Sequence, residues 1–360
     1  MKPAPSAVRS RVQVLCNRLG LRVPILLAPM AGACPPALSV AVANAGGLGA
    51  CGALLLRPDE ILQWVERFRA GSAGVFQINT WIPDPPPRRD AEAEARVRAF
   101  LAQWGPSVAV TAGDTTPPDF EAQCDAMLEA RAPVVSSIMG LFTADRVAQF
   151  KARGTAWLAT VTTVAEARIA EAAGADGVIA QGMEAGGHRG SFDAAQAERS
   201  QVGLFALVPA VADAVRIPVI ASGAIADARG IAAALTLGAS GVQIGTGFLR
   251  CPEAGIAPVW AEALAHTAPE GTQLTRAFSG RAGRSLATDY VRAAGAAEAP
   301  LPAPYPVQRG LTTAMRARAA REGDLRAMQA WAGQGAALAL AEPAQTLTTR
   351  LWAAAEECLI

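Results

Sequence analysis

Residues 217–249 read IPVIASGAIADARGIAAALTLGASGVQIGTGFL. Two short apolar runs, Ile217 to Ser222 and Gly241 to Gly245, each lead into a glycine-rich turn, and the helical pattern DARGIAAALTLG joins them. Strands that are apolar throughout are covered on both faces, and alternation with helices makes them parallel. The same alternation extends back toward the N-terminus. Further strands are expected over 25–30, 47–51, 74–79, 133–138, 156–161 and 176–180, with stretches such as PDEILQWVERFRAG and TVAEARIAEAAG between them. Most of these helical stretches end on glycine, the usual stop signal. Eight such units between Ile25 and Arg250 match the strand count and the usual size of about 250 residues of a (β/α)8 TIM barrel. The predicted class is therefore α/β, with the barrel in residues 1–250.

A further run, Ser107 to Thr111, lies in the longest connection, about 80–132, and is assigned to an insertion there. Beyond Arg250 the texture changes to Ala- and Arg-rich segments divided by proline clusters, APLPAPYPVQ and then AMRARAAREG. Residues 251–360 are expected to form a mainly helical C-terminal appendage covering the substrate pocket. A Rossmann sheet is the rival architecture, because Gly47-Leu-Gly-Ala-Cys-Gly52 fits GxGxxG. A dinucleotide fingerprint follows a strand and opens a helix. Here the motif follows a helical pattern and reads as the strand itself.

Of the 360 residues, 51% are hydrophobic and 18% charged, which excludes disorder and predicts a large core. Thirty-two basic against 31 acidic residues, with no block of either sign, argue against nucleic acid or an anionic membrane as partner. From Val23 to Leu56 no residue is charged, long enough on paper to cross a bilayer. That stretch carries four prolines and five glycines, which would strand backbone groups in lipid, so it reads as a buried strand, helix and strand. The N-terminal MKPAPSAVRSRVQVLCNR has no apolar leader core, and the six cysteines show neither CxxC pairs nor zinc-ligand spacing. A cytoplasmic, reduced, metal-free protein is expected, with a homodimer left open.

Barrel chemistry sits at the C-terminal ends of the strands. Those positions read Ala28-Pro29-Met30-Ala31-Gly32, Gln77-Ile78-Asn79, Gln181-Gly-Met-Glu-Ala-Gly186-Gly187-His188, Ser222-Gly223-Ala224 and Gln243-Ile244-Gly245-Thr246. The glycine turns after the last two strands form a paired set of backbone amides, with the Thr246 hydroxyl, suited to a phosphate. His188 is one of two histidines and follows two glycines after a strand, so it is the candidate general base. His266 reads as an exposed helix residue and Glu184 as a helix cap or salt-bridge partner. With so few strong reagents in the chain, a cofactor is expected to carry the chemistry.

Taken together, APMAG, ANAGGLGACG, AQGMEAGGHRGSF and the 217–249 segment resemble the FMN-dependent nitronate monooxygenases, formerly 2-nitropropane dioxygenases. TRAFSGRAGR and PAPYPVQRGLT extend the resemblance over roughly residues 24 to 350. The resemblance implies FMN as cofactor, with Pro29, Met30 and Ala31 lining the ring, and Asn79 and Gln181 bonding it. It also implies close backbone approach at Gly186 and Gly187, and a phosphate held by Gly223, Ala224, Gln243, Ile244, Gly245 and Thr246. His188 would be the base and Tyr305 a wall of the substrate pocket. Two positions depart from the family. Ala224 stands where a second glycine is usual, which preserves the amide if φ stays negative. Ile138 stands where a histidine is usual, removing a polar substrate contact and pointing to a bulkier or less charged substrate.

The implied reaction is oxidation of an alkyl nitronate or nitroalkane with O2 to a carbonyl compound and nitrite. Arg189, Arg281 and Arg284 are candidates to supply positive charge for the anion. The EAGGH element is shared with flavin-dependent enoyl-acyl-carrier-protein reductases and NADH:quinone reductases. An NAD(P)H-dependent FMN reductase acting on a quinone or an enoyl thioester is therefore the first alternative. A non-catalytic flavin- or phosphate-binding barrel is the second.

Overall fold

The expected strands appear in register around a single parallel sheet. In chain order they are β1 (Ile25–Leu27), β2 (Gly49–Gly52), β3 (Phe76–Trp81), β4 (Val134–Ile138), β5 (Ala156–Val161) and β6 (Gly177–Gln181). A two-residue strand, β7 (Gly187–His188), precedes β8 (Val219–Ser222) and β9 (Gly241–Ile244). The eight-stranded order is β1-β9-β8-β6-β5-β4-β3-β2, all pairs parallel. Leu27 N–H donates to Leu48 O (2.9 Å) and Leu48 N–H to Ile25 O (3.0 Å), which closes β1 onto the entry to β2. The result is a (β/α)8 barrel, described by the computed structural model over residues 7–359. Residues 1–6, the start of the segment read for a leader, lie outside the described residues.

The period of two along each strand sorts interior from exterior. Leu26, Leu158, Ile179 and Ile220 meet in one apolar cluster with Leu15 and Leu19 of the helix Ala7–Leu19, which plugs the N-terminal end. Two residues further along the same strands or strand ends, Ala28, Thr160, Gln181 and Ser222 line a cavity at the other end. Between the layers, buried Gln77 donates from Nε2 to Leu27 O (3.1 Å) and Gln243 Oε1 (3.2 Å). The outward residues Val135, Trp157, Ala159, Val178 and Ala180 pack under the surrounding helices. The barrel is thus dry at one end and polar at the other.

The uncharged Val23–Leu56 stretch forms β1, the helix Pro36–Asn44 and β2, as its breakers imply. Among the described residues, no helix is long and apolar enough to cross a membrane. The run Ser107 to Thr111 contributes no strand; a 3-10 turn spans Val110–Gly113 instead.

The C-terminal region is mainly helical and also carries an antiparallel hairpin, β10 (Thr272–Thr275) and β11 (Gly283–Leu286), whose β11 pairs with β7, Gly283 opposite His188. The helix Ala344–Cys358 returns to the barrel, burying Leu347 and Leu351 in one core with Leu38, Val42, Ile231 and Leu235. Residues between β9 and that helix are therefore an excursion from the barrel wall. The excursion reaches over the polar end and braces the loop that carries His188.

Candidate active site

At the C-terminal ends of the strands lies a cavity of about 380 Å³. Pro29, Met30 and Ala31 of the loop after β1 line one side, with Asn79 of β3, Ile138 of β4 and Gln181 of β6. Gly186, Gly187 and His188 line the next part, followed by Gly223 and Ala224 after β8, and by Gln243, Gly245 and Thr246 at β9. Two expected residues are placed elsewhere. Ile244 is 1% exposed and its side chain belongs to the apolar core outside the strands. Tyr305 lines a neighbouring cavity, its ring centroid 5.4 Å from that of Trp81, which borders both. Tyr290 stays in the core, donating to Ala277 O (2.9 Å).

Bare backbone makes one wall of the cavity. A Cβ on Gly186 would stand 2.5 Å from Gly333 N and 2.9 Å from Thr246 Oγ1. Gly333 N–H itself donates to Thr246 Oγ1 (3.0 Å), and a Cβ on Gly335 would meet Ala224 O at 2.6 Å. The loop 331–335 thus joins the three glycine turns read from the sequence, adding a fourth side to the cradle. Such a concentration of amides suits a phosphate-bearing ligand, and the side-chain-free wall leaves room for a flat ring system. FMN combines both features, so these residues fit it.

The turn after β8 is strained. Gly223 has φ +141° and Ala224 φ +51°, so the negative φ on which an unstrained alanine here depends is not met. Holding an L-residue in the left-handed region costs roughly 1–2 kcal/mol, part of which a glycine would return as unfolded-chain entropy. Ala224→Gly is expected to raise the free energy of unfolding by up to about 1 kcal/mol, read by urea denaturation. A loss of stability would contradict the strain assignment.

His188 is held from three sides. Its Nε2 lies 2.7 Å from Ser279 Oγ, a hydroxyl that also donates to Arg281 O (3.3 Å). The same hydroxyl accepts from Arg281 N–H (3.3 Å). Ring centroids of Trp81 and Trp331 lie 4.6 and 4.7 Å from the imidazole. Gln181 fixes the loop, donating to His188 O (3.0 Å) and accepting from Gly190 N–H (2.8 Å). Burial, then the cations Arg281 and Arg309, push the His188 pKa down to about 3.

The ring is therefore neutral throughout the physiological range. Because its folded pKa lies below the ordinary 6.5, the unfolded chain binds the extra proton between those values. The contribution of this site to stability is complete above pH 6.5 and falls as the pH drops toward 3. In a His266→Gln variant, which leaves one histidine, imidazole NMR should show His188 neutral at pH 5. An inflection near pH 6.5 would contradict this.

The arginines expected to face a substrate are engaged elsewhere. Arg189 donates to Gln181 O (2.6 Å) and Ser200 O (3.1 Å). Arg281 pairs with Asp84. Arg284 donates to Met183 O (3.0 Å) and Thr272 Oγ1 (3.1 Å). None of the three lines the cavity; Arg309 and Arg316 do. Arg316 is tied to Gln329 Oε1 (3.2 Å) and Arg309 O (2.9 Å). The Arg309 guanidinium has no hydrogen bond or ion pair to any described residue, and burial lowers its pKa. Glu184 is a cap, accepting from Leu204 N–H (2.8 Å) at the start of the helix Leu204–Ala214.

Sequence reasoning missed Trp81, Ser279, Arg309, Trp331 and the Gly333–Gly335 turn. The paired glycines of WAGQGAA were a legible signal for the turn; the other residues reach the site only through tertiary packing. Among the described residues, no group of three His, Cys, Asp or Glu side chains can hold a metal.

A barrel with a glycine cradle and a neutral histidine at its C-terminal face defines an enzyme whose chemistry rests on a bound cofactor. The sequence profile of nitronate monooxygenases matches residues 14–353. The nitronate monooxygenase of Paraburkholderia phytofirmans is 39% identical over 349 residues, covering 94% of each chain. The nitroalkane oxidase of Streptomyces ansochromogenes superposes with a TM-score of 0.85 at 37% identity, over 94% of this chain and 98% of that one. FabK from Thermotoga maritima follows, with a TM-score of 0.75 at 30% identity over 96% of each chain. The chain belongs to the nitronate monooxygenase family, a family of oxidoreductases.

Proposed function

We propose that this protein binds FMN and oxidises alkyl nitronates, and the nitroalkanes that give rise to them, with O2 to carbonyl compounds and nitrite. The observation that carries the reading is His188: neutral, fixed through Nε2 by Ser279, and on the wall of the glycine-lined cavity. With Nε2–H given to Ser279 Oγ, Nδ1 takes the Cα proton of a neutral nitroalkane, leaving the electron pair on the nitronate. Arg309, whose guanidinium has no hydrogen bond or ion pair to a described residue, offers the positive charge that this anion requires. Trp81 and Trp331 hold the imidazole plane and exclude water around it.

The amides of the turns at Gly186, Gly223–Ala224, Gly245–Thr246 and Gly333–Gly335 would hold the phosphate and the ring of FMN. Bound there, FMN supplies the electron transfer from nitronate toward O2. The chain's own part is to position the substrate, move one proton and stabilise one negative charge. Adding ethyl nitronate to the FMN-loaded protein in air should consume O2 and release nitrite without any nicotinamide. Oxygen uptake and nitrite release both at the level of free FMN would sink the reading.

A further inference from the structure

Beside the cavity that holds His188 lies a second, open cavity of about 580 Å³, formed by the β3 extension, the following insertion and the Tyr305 turn. The two share Leu54 and Trp81 as walls. Trp81 therefore stands between them, its ring against His188 on one side and Tyr305 on the other.

The walls of the second cavity have little left to offer a polar ligand. Seven of them are prolines, among them Pro83, Pro85 and Pro117, and proline has no backbone N–H to donate. The charged and amide side chains are already engaged. Asp84 pairs with Arg281, and Arg89 with Glu94 and Asp114. Gln123 donates to Ala53 O (2.9 Å) and Leu56 O (2.8 Å) and accepts from Thr80 Oγ1 (3.1 Å). Apart from the hydroxyls of Thr116 and Tyr305 such walls offer a ligand little to bond, so an occupant gains mainly by burying apolar surface.

We propose that this second cavity is a substrate subsite for an extended alkyl or aryl tail, so that the enzyme's preferred substrates are long-chain or aryl-substituted nitro compounds. This rests on the proposed function for the head group: the nitro end lies by His188 and the tail passes Leu54 and Trp81 into the proline-walled space. Ile138 in the first cavity, apolar on the wall nearest β4, is consistent with the same preference.

Anaerobic calorimetric titration of the FMN-loaded protein carrying His188→Asn, which has no base for the substrate proton, with nitroethane and 1-nitrooctane tests the subsite apart from turnover. Each buried methylene is worth about fourfold in affinity, so the octyl compound should bind at least about a hundredfold more tightly. Filling the subsite by Ile82→Trp or Thr116→Trp should cut that preference at least tenfold. Affinities within about threefold of each other, or a preference untouched by both variants, would overturn the proposal. Oxidation of the corresponding nitronates is read separately, with His188 intact. A tight octyl complex with no oxidation of any nitronate would support the subsite and refute the proposed function. Oxidation of ethyl nitronate with equal binding of both compounds would do the reverse.

Discussion

His188→Asn lowers kcat/KM for neutral nitroethane by about 10²- to 10⁴-fold, the usual worth of a positioned general base. Turnover of preformed ethyl nitronate falls far less, within about tenfold, because its proton is already gone. Asparagine keeps a polar group of similar reach between Trp81 and Trp331 but has no basic nitrogen. The split between the two substrates is therefore the readout that separates proton abstraction from mere shape. Steady-state oxygen consumption with both substrates measures it. Equal losses on both would mean that His188 only packs the cavity. A pKa near 3 makes the imidazole a weak base, so the site works by position. Asparagine can still donate a hydrogen bond to the anion, which is why the nitronate reaction survives.

Gly186→Ala empties the enzyme of flavin. The new Cβ would lie 2.5 Å from Gly333 N and 2.7 Å from Ala332 C, both backbone atoms, and 2.9 Å from Thr246 Oγ1. No side-chain rotation relieves such contacts; the loop 331–335 has to move. That movement breaks the Gly333 to Thr246 hydrogen bond and displaces Trp331 from His188. Overpacking of this kind costs roughly 1–3 kcal/mol, and the purified variant should be colourless and resist reconstitution with FMN. Absorbance near the visible flavin band after dialysis against FMN decides the matter. A yellow variant with unchanged affinity would show that the cradle is not where the cofactor lies.

The barrel was legible because its signal is local. A strand covered on both faces must be apolar throughout, so β4, β5, β6, β8 and β9 could be read within a residue or two of their observed ends. The rim residues followed, since the end of each strand determines what faces the cavity. What escaped depends on long-range approach. Ser279 meets His188 across 91 residues because β11 pairs with β7. Arg189 adjoins His188 in sequence, yet turns away to three backbone carbonyls. Arg309 comes in from the excursion, and only packing shows that its guanidinium bonds none of the described residues. Ala224 tells a similar story: beside the family resemblance it reads as tolerable at negative φ, whereas its left-handed φ is imposed by the turn it must complete. The helix Ala344–Cys358 was not read as part of the barrel, because the excursion separates it from β9 in the chain.

Nitronate, rather than a nicotinamide, is expected to reduce the bound cofactor. Anaerobic mixing of the FMN-loaded protein with propyl nitronate, and separately with NADH and NADPH, tests it in one series. The account predicts rapid bleaching of the visible flavin band by the nitronate and none by either nicotinamide. Rapid bleaching by NADH or NADPH, with the nitronate inert, would contradict it and assign the site to a reductase.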